Sequence, residues 1–194
     1  TLLARNNLAG AYESAGQLER AMPLYEQTLA DSVRVLGEDH PDTLLARNNL
    51  AGAYESAGQL ERAMPLYEQT LADSVRVLGE DHPDTLLARN NLAGAYALAD
   101  DVEKAIALYE RTLADRRRVL GISHPDTLTS QSNLAGAHAL KGDLARAVAL
   151  YEQTVAQSVQ ILGEDHPTVQ TMRNNLTYWR EKARAERLDL STDS

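Results

Sequence analysis

Residues 1–42 and 43–84 of this chain are identical letter for letter, and any fold it adopts has to accommodate that repetition. The unit reads TLLARNNLAGAYESAGQLERAMPLYEQTLADSVRVLGEDHPD. A third copy opens at Thr85 with TLLARNNLAGAY unchanged, and looser copies follow from Thr127 and Val169. Self-similarity at a period near 40 residues marks a solenoid, in which each unit is one supersecondary element that buries its apolar face only against its neighbours. The expected organisation is one array over 1–194, with repeats 1–42, 43–84, 85–126 and 127–168 and a terminal capping helix and tail over 169–194. A start without methionine at a repeat boundary leads us to expect a piece of a longer array.

Composition narrows the partners. A net charge of −9 with a pI near 5.0 argues against a phosphate-binding face, because nucleic-acid binders cluster their basic residues. The chain has no cysteine, so it can build neither disulfides nor thiolate metal sites. It also has no apolar run long enough to span a bilayer. The expectation is a cytoplasmic protein without nucleic-acid or membrane contact.

Within a unit the apolar spacing is helical. His82-Pro83-Asp84 opens helix A, since proline is tolerated at the first helical position and an acid suits the first turn. Helix A is placed at about Pro83 to Leu98. In the second copy Ala46, Leu50, Ala53, Tyr54 and Ala57 fall on one side, extended by Leu44 and Ala51. Gly58 then closes the helix in the left-handed conformation, and Asp100 stands in the same place one copy later. Helix B is placed from about Leu60 to Leu78, with Leu60, Ala63, Met64, Tyr67, Leu71, Val75 and Leu78 as its stripe. Pro65 lies inside it and implies no more than a mild bend, because Ala107 and Ala149 replace it later. The last helix A is placed from about Pro167 to Leu188, giving nine helices.

Asn49-Leu50-Ala51, Tyr54, Gly58, Ala63 and Tyr67 follow the tetratricopeptide order of large, small and aromatic positions. With HPDTL before the helix and NLAGAY inside it, the unit resembles the 42-residue tetratricopeptide repeats of kinesin light chains and related bacterial proteins over residues 1 to about 180. The resemblance implies an all-α, right-handed superhelix that binds a protein or peptide in its concave groove. A structural spacer or self-assembling array, and a recognition arm of a larger signalling NTPase, are the alternatives.

Catalytic readings find little support. His40, His82, His124 and His166 recur once per unit, and stacked layers of about 8–10 Å keep such equivalents from sharing a metal. They are read as loop residues at helix starts. Glu80, Asp81 and Asp84 lack the ligand alternation of an EF-hand. No phosphate loop, nucleophile elbow or zinc-protease motif is present, so neither an enzyme nor a cofactor is expected. Arg116-Arg117-Arg118, at the end of the third helix B, is read as complementing the helix dipole, with a local anion contact as the alternative. His138 stands where Tyr12, Tyr54 and Tyr96 stand in other copies and is read as a substituted core residue.

The face of helix A away from that core carries the candidate site. Leu45, Asn48, Asn49, Gly52, Glu55 and Ser56 share it, and the resemblance turns this face into the groove. Its counterparts are Asn6 and Asn7; Asn90, Asn91 and Gly94; Asn133 and Gly136; and Asn174, Asn175 and Tyr178. This asparagine ladder either reads the amides of an extended peptide or satisfies itself along the stack. Glycine inside a helix costs about 1 kcal/mol, which points to close approach of another backbone, from a ligand or a neighbouring helix. A carboxylate clamp would need groove lysine or arginine, and the first four copies have none. Ala97, Leu98, Ala139, Leu140 and Tyr178 supply apolar surface late in the chain, where a hot spot is expected.

Two further expectations concern the buried side. Arg5, Arg47, Arg89 and Arg173 should lay their stems over apolar surface, with Glu26 or Asp31 of the preceding helix B as the partner of Arg47. The first helix should leave Leu2, Arg5 and Ala9 bare and support weak self-association through that N-terminal face.

Overall fold

The computed structural model describes the backbone of residues 1–192 and the side chains of residues 1–185. Among the described residues there are nine α-helices and no strand: α1 (Leu2–Ser14), α2 (Leu18–Leu36), α3 (Pro41–Ser56), α4 (Leu60–Leu78), α5 (Pro83–Leu98), α6 (Val102–Val119), α7 (Pro125–Leu140), α8 (Leu144–Leu162) and α9 (Pro167–Thr192). Odd numbers are helices A and even numbers helices B. The expected bounds of α4 and α5 are those found, and α9 runs on past the expected Leu188. The chain divides into two compact units, Thr1–Ala99 and Asp100–Ser194.

Local chemistry sets the helix ends. In α3, α5 and α7 the Nδ1 of His40, His82 and His124 accepts the backbone N–H two residues on, at 3.1, 3.2 and 3.2 Å. His166 does the same for Thr168 at 3.2 Å. The imidazole therefore does the capping that serine or aspartate usually does, and the adjacent proline needs no partner. At the other end Gly58 has φ +70, and Asp100 adopts φ +64 at the equivalent place, so both fill the left-handed cap.

In unit 1 each helix packs on the next, from α1 through α5. Ala46, Leu50, Ala53, Tyr54, Leu44 and Ala51 are buried as expected, while Ala57 is only half-buried. Helix B differs. Its buried line in α4 is Ala63, Tyr67, Thr70 and Ser74, and Leu60, Met64, Leu71, Val75 and Leu78 flank it half-exposed. Small polar residues can occupy the closest approach because a helical hydroxyl can bond its own backbone. The Thr70 hydroxyl donates to the Leu66 carbonyl at 2.7 Å, and Thr28, Thr112 and Thr154 repeat the bond to Leu24, Leu108 and Leu150.

Of the four arginines expected on the buried side, Arg47 and Arg89 are buried and Arg5 and Arg173 half-buried, all four beside an acid, and the partner of Arg47 needs correction. The first helix does not leave Arg5 and Ala9 bare as expected, because Ala9 is buried and Arg5 is paired with Asp31. Arg47 is 4 % exposed and donates to Asp73 at 2.6 Å. Arg5 reaches Asp31 in the same way at 2.8 Å. The acid comes from the helix B of the same repeat, and neither Glu26 nor Asp31 serves Arg47. Burial pushes the Asp73 carboxyl up, but hydrogen bonds from Arg76 and Arg47 together hold it below the usual carboxylate range. Arg89 pairs with Glu80, and Arg173 lies 3.6 Å from Glu164.

Glu26 belongs instead to a clasp between repeats. The Tyr54 hydroxyl of α3 donates to Glu26 of α2 at 2.5 Å, and Arg62 lies over the tyrosine ring, bonding both its hydroxyl and the same carboxylate. Burial, then the Glu26 bond, pushes the Tyr54 phenol up to about 12. Tyr96 repeats the bond to Glu68 at 2.8 Å.

Unit 2 keeps the frame and changes its polar contents. Gln131 and Gln157 stand where Arg47 and Asp73 stand two repeats earlier, so both members of the ion pair are amides in this repeat. The guanidinium now comes from α6: Arg116, where other copies have serine, is buried and donates to the Asp126 carbonyl and the Ser130 hydroxyl, each at 2.8 Å. Arg117 bonds Gln131 at 2.9 Å and Arg118 bonds Asp115 at 3.0 Å. Arg116 and Arg117 therefore join α6 to α7, while Arg118 pairs within α6, and all three stand in its last turn, where the helix-dipole reading put them. His138 is 4 % exposed in α7, and neither ring nitrogen has a partner. Its counterpart acid Glu110 is taken by Arg146 at 3.3 Å. Burial first, and Arg146 beside it, hold the His138 imidazole below its ordinary pKa; Lys141 adds to this, while Asp143 and Glu110 oppose it. α9 packs on α8 with Val169, Met172 and Leu176 buried, and Arg180, in the tyrosine's place, bonds Glu152 at 2.7 Å.

Two outcomes follow. Asp73→Ala strands a buried guanidinium and should cost on the order of 3 kcal/mol in urea denaturation, whereas Arg47→Gln with Asp73→Gln, the exchange made in the fourth repeat, should recover most of the loss. Because the folded state prefers neutral His138, the unfolded chain binds the proton more tightly. Stability should therefore be full above about pH 6.5 and fall as pH drops below it. Thermal melts between pH 7.5 and 5, run on the chain and on His138→Tyr, check this: the substitution should flatten the step.

Candidate functional site

The predicted site residues lie on the helix-A faces turned away from the tyrosine clasps. In unit 1 that face is built by α1, α3 and α5. Asn7 is exposed and Asn6, Asn49 and Asn91 are half-buried, whereas Asn48 and Asn90 are buried. Two side-chain pairs join successive helices: Asn49 donates to Asn6 at 3.1 Å and Asn91 donates to Asn48 at 3.2 Å. The ladder therefore does bond along the stack. Each pair engages the NH2 of Asn49 or Asn91 and leaves the carbonyl of that residue outside the pair.

Gly52 and Gly94 are half-buried on the same face. The neighbour at Gly52 is the hydroxyl of Tyr67, from the following helix B, where a backbone had been expected. A Cβ built there would sit 3.5 Å from the Tyr67 oxygen, and one at Gly10 would sit 3.4 Å from that of Tyr25. These are ordinary contacts, so packing does not demand glycine at either place. The tyrosines reach the face to bond acids. Tyr25 donates to Glu13 at 2.9 Å, Ser56 donates to the other oxygen of Glu13 at 3.0 Å, and Tyr67 bonds Glu55. Burial pushes the Glu55 carboxyl up, the Tyr67 bond opposes this, and the nearby Glu13 charge adds to it.

Two clefts of one design open beside this face. One has Leu3, Asn6 and Leu45 above the buried hydroxyls of Thr28 and Ser32; its counterpart has Leu45, Asn48 and Leu87 above Thr70 and Ser74. They hold about 120 and about 10 Å3.

In unit 2 the corresponding faces belong to α7 and α9. Asn133 and Asn175 are half-buried and Asn174 is exposed. A Cβ at Gly136 would meet the Tyr151 hydroxyl at 3.2 Å, a tighter fit than at Gly52. Leu140 and Tyr178 are 58 % and 59 % exposed, and the Tyr178 ring meets Trp179 edge-on at 4.8 Å. Of the expected late apolar surface, Leu140 and Tyr178 are exposed on this unit and Leu98 at the end of α5 in unit 1, whereas Ala139 is buried against Leu144 and Ala147 and Ala97 is half-buried.

Sequence reasoning missed the acids' tyrosine partners, although Tyr25 and Glu13, twelve positions apart, recur as Tyr67 and Glu55. The arrangement offers amides, carboxylates and apolar side chains. Among the described residues no group of histidines and acids is placed to hold a metal ion, and no helix is long and apolar enough to cross a membrane.

Gly52→Ala should raise the melting stability by about 0.5–1 kcal/mol, because alanine favours the helix and its methyl fits beneath Tyr67. Gly136→Ala should gain less, since Tyr151 must give way.

Comparison with known proteins agrees with this architecture. The family model described as tetratricopeptide repeat matches residues 1–74, 71–118 and 88–158. Among solved structures, a protein of Podosopora anserina described as a kinesin light chain with nearly identical TPR-like repeats is 32% identical, with a TM-score of 0.79 over 98% of this chain and 90% of that one. Its Q17M variant gives 0.80 over the same shares at the same identity. BtubC (BKLC) from P. vanneervenii is 26% identical, with a TM-score of 0.71 over 86% of this chain and 66% of that one. No curated protein sequence matches significantly. The chain belongs to the tetratricopeptide repeat family, generally a scaffold for protein interaction, and its repeats are similar to those of kinesin light chains.

Proposed function

We propose that the chain is a non-enzymatic interaction module that binds an extended peptide or protein segment along its helix-A faces, through Asn6, Asn7, Asn48, Asn49, Gly52, Asn90, Asn91 and Gly94 in one unit and Asn133, Gly136, Leu140, Asn174, Asn175 and Tyr178 in the other. The observation that carries this reading is Gly52. Glycine inside a helix costs about 1 kcal/mol, and the neighbouring tyrosine would tolerate a methyl there, so the open strip is best explained by a ligand backbone that lies against it. The asparagine pairs support it, since each leaves a carbonyl to accept an amide N–H from that backbone. With Glu13 and Glu55 on the face of unit 1, a ligand's terminal carboxylate is disfavoured there and a neutral or basic segment is favoured. Exposed Leu140 and Tyr178 supply an apolar anchor.

A photo-crosslinking side chain placed at Asn49 should form adducts with the bound partner. The same group at Gln69, exposed on α4, should form none. Adducts from Gln69 alone would move the binding surface to helix B.

A further inference from the structure

The arginine run on α6 leaves one buried charge unanswered. Arg116 is 3 % exposed, and its Nη1 donates to the Asp126 carbonyl and the Ser130 hydroxyl, both neutral acceptors. Its Nε is buried and has no hydrogen-bond partner. Among the described residues no carboxylate pairs with this guanidinium. Burial pushes its pKa down, and the charge of Asp126, on the exposed side of α7, opposes this.

Other repeats show what answers a guanidinium in this layer. Arg47 meets Asp73 of the following helix B at 2.6 Å, and Arg89 meets Glu80 of the loop before its own helix. In the fourth repeat the counterpart of Asp73 is Gln157, and the loop before α7 has Ile122 and Ser123 where Glu80 and Asp81 stand one repeat earlier. The helix-B acid of α6, Asp115, bonds Arg118. Both sources of negative charge are therefore replaced beside a buried cation, an arrangement that is costly unless something else supplies the charge.

Two more polar groups in the same layer have capacity to spare. Gln131, the counterpart of Arg47, is 1 % exposed; its carbonyl accepts from Arg117 at 2.9 Å, and its Nε2 is buried without a partner. It follows Ser130 in the chain, so its amide and the Arg116 guanidinium belong to one junction of α6 with α7. Gln157 faces Gln131 by register, as Asp73 faces Arg47, and its Oε1 is also buried and unpartnered.

We propose that the junction of α6 with α7 binds a small inorganic anion of the halide class, held by the Arg116 guanidinium and the Gln131 amide in the role that the Asp73 carboxylate plays two repeats earlier. A water molecule could accept the same hydrogen bonds, but it brings no charge to offset that of Arg116. The unpartnered atoms are closed to bulk solvent, which disfavours a phosphate or an organic acid and leaves a monoatomic ion. Arg117, bonded to Gln131, adds to the positive potential. The inference does not depend on the groove reading.

Thermal melts of the whole chain at fixed ionic strength, with sodium gluconate replaced stepwise by sodium chloride or bromide, test it. The melting temperature should rise by about 3–6 °C once the halide reaches ten times its dissociation constant. Arg116→Ser, which installs the serine of the other repeats, should remove that rise. Gln131→Glu, which sets a carboxylate beside Arg116 and Arg117, should raise the melting temperature in gluconate and make it insensitive to halide. In crystals grown with bromide, anomalous scattering should place an ion in contact with Arg116 Nε and Gln131 Nε2. Equal melting in gluconate and halide, or a halide effect that survives Arg116→Ser, overturns the proposal. So does a peak at the junction without anomalous signal, which is water, or bromide on the exposed surface alone, which is an adventitious ion only.

Discussion

The rest of the structure depends on the packing of each helix A against the helix B that follows it, where buried alanines and a helix-B tyrosine meet. Tyr67 is buried, and its oxygen reaches Gly52 and bonds Glu55 on the far face. Two helices can approach this closely only where small residues meet, and Ala51, Ala53 and Ala63 are fully buried around the contact. The close approach leaves little apolar area per residue, so the layer relies on aromatic bodies with polar tips and on helical hydroxyls that satisfy themselves. That explains why Thr70 and Ser74 sit at the centre of the interface while larger aliphatics flank it.

A scaffold this tight constrains how its copies can diverge. In the second repeat a buried guanidinium from helix A meets an aspartate from helix B. By the fourth repeat both positions are glutamines, and an arginine has appeared on α6 in place of a serine. Losing only one half of the pair would strand a charge, at a cost well above that of losing both. The clasp shows the same logic less completely. With histidine in the tyrosine's place, Arg146 takes Glu110 directly and His138 is left buried without a partner. At the last helix Arg180 reaches the acid itself, so the joint survives a change of residue type.

Much of this was legible from periodicity. Bounds of helices, the left-handed caps at Gly58 and Asp100, and the buried arginines follow from spacing, turn chemistry and the exact repetition. The reading failed where polarity and burial part company. Thr70 and Ser74 were passed over because a hydrophobic stripe was sought, and the burial of Arg116 was missed because the run of three arginines was read only through the helix dipole or a local anion contact. Partner assignment failed for a geometric reason. Arg47 can face either neighbouring helix B, and spacing along its own helix does not say which. His82 as an N-cap was missed because imidazole rarely fills that role. On the candidate face, the asparagines and glycines could be named from the helical wheel, but their mutual bonds depend on the offset between stacked helices, which one sequence does not encode locally.

That mutual bonding bears on how the face would recognise a ligand. An isolated asparagine on a helix has free rotamers, and fixing it on binding costs roughly 0.5–1.5 kcal/mol per side chain. Asn49 held by Asn6, and Asn91 held by Asn48, have already met that cost in the free protein. Each holds its remaining carbonyl in a set direction, one repeat apart, where a backbone of the kind proposed against Gly52 would meet it. The two readings the sequence left open, a ladder that satisfies itself and a ladder that reads amides, are then compatible: an amide has more bonding capacity than one pair consumes. A stack that uses one half of each side chain for its own register can offer the other half, preorganised, to a partner.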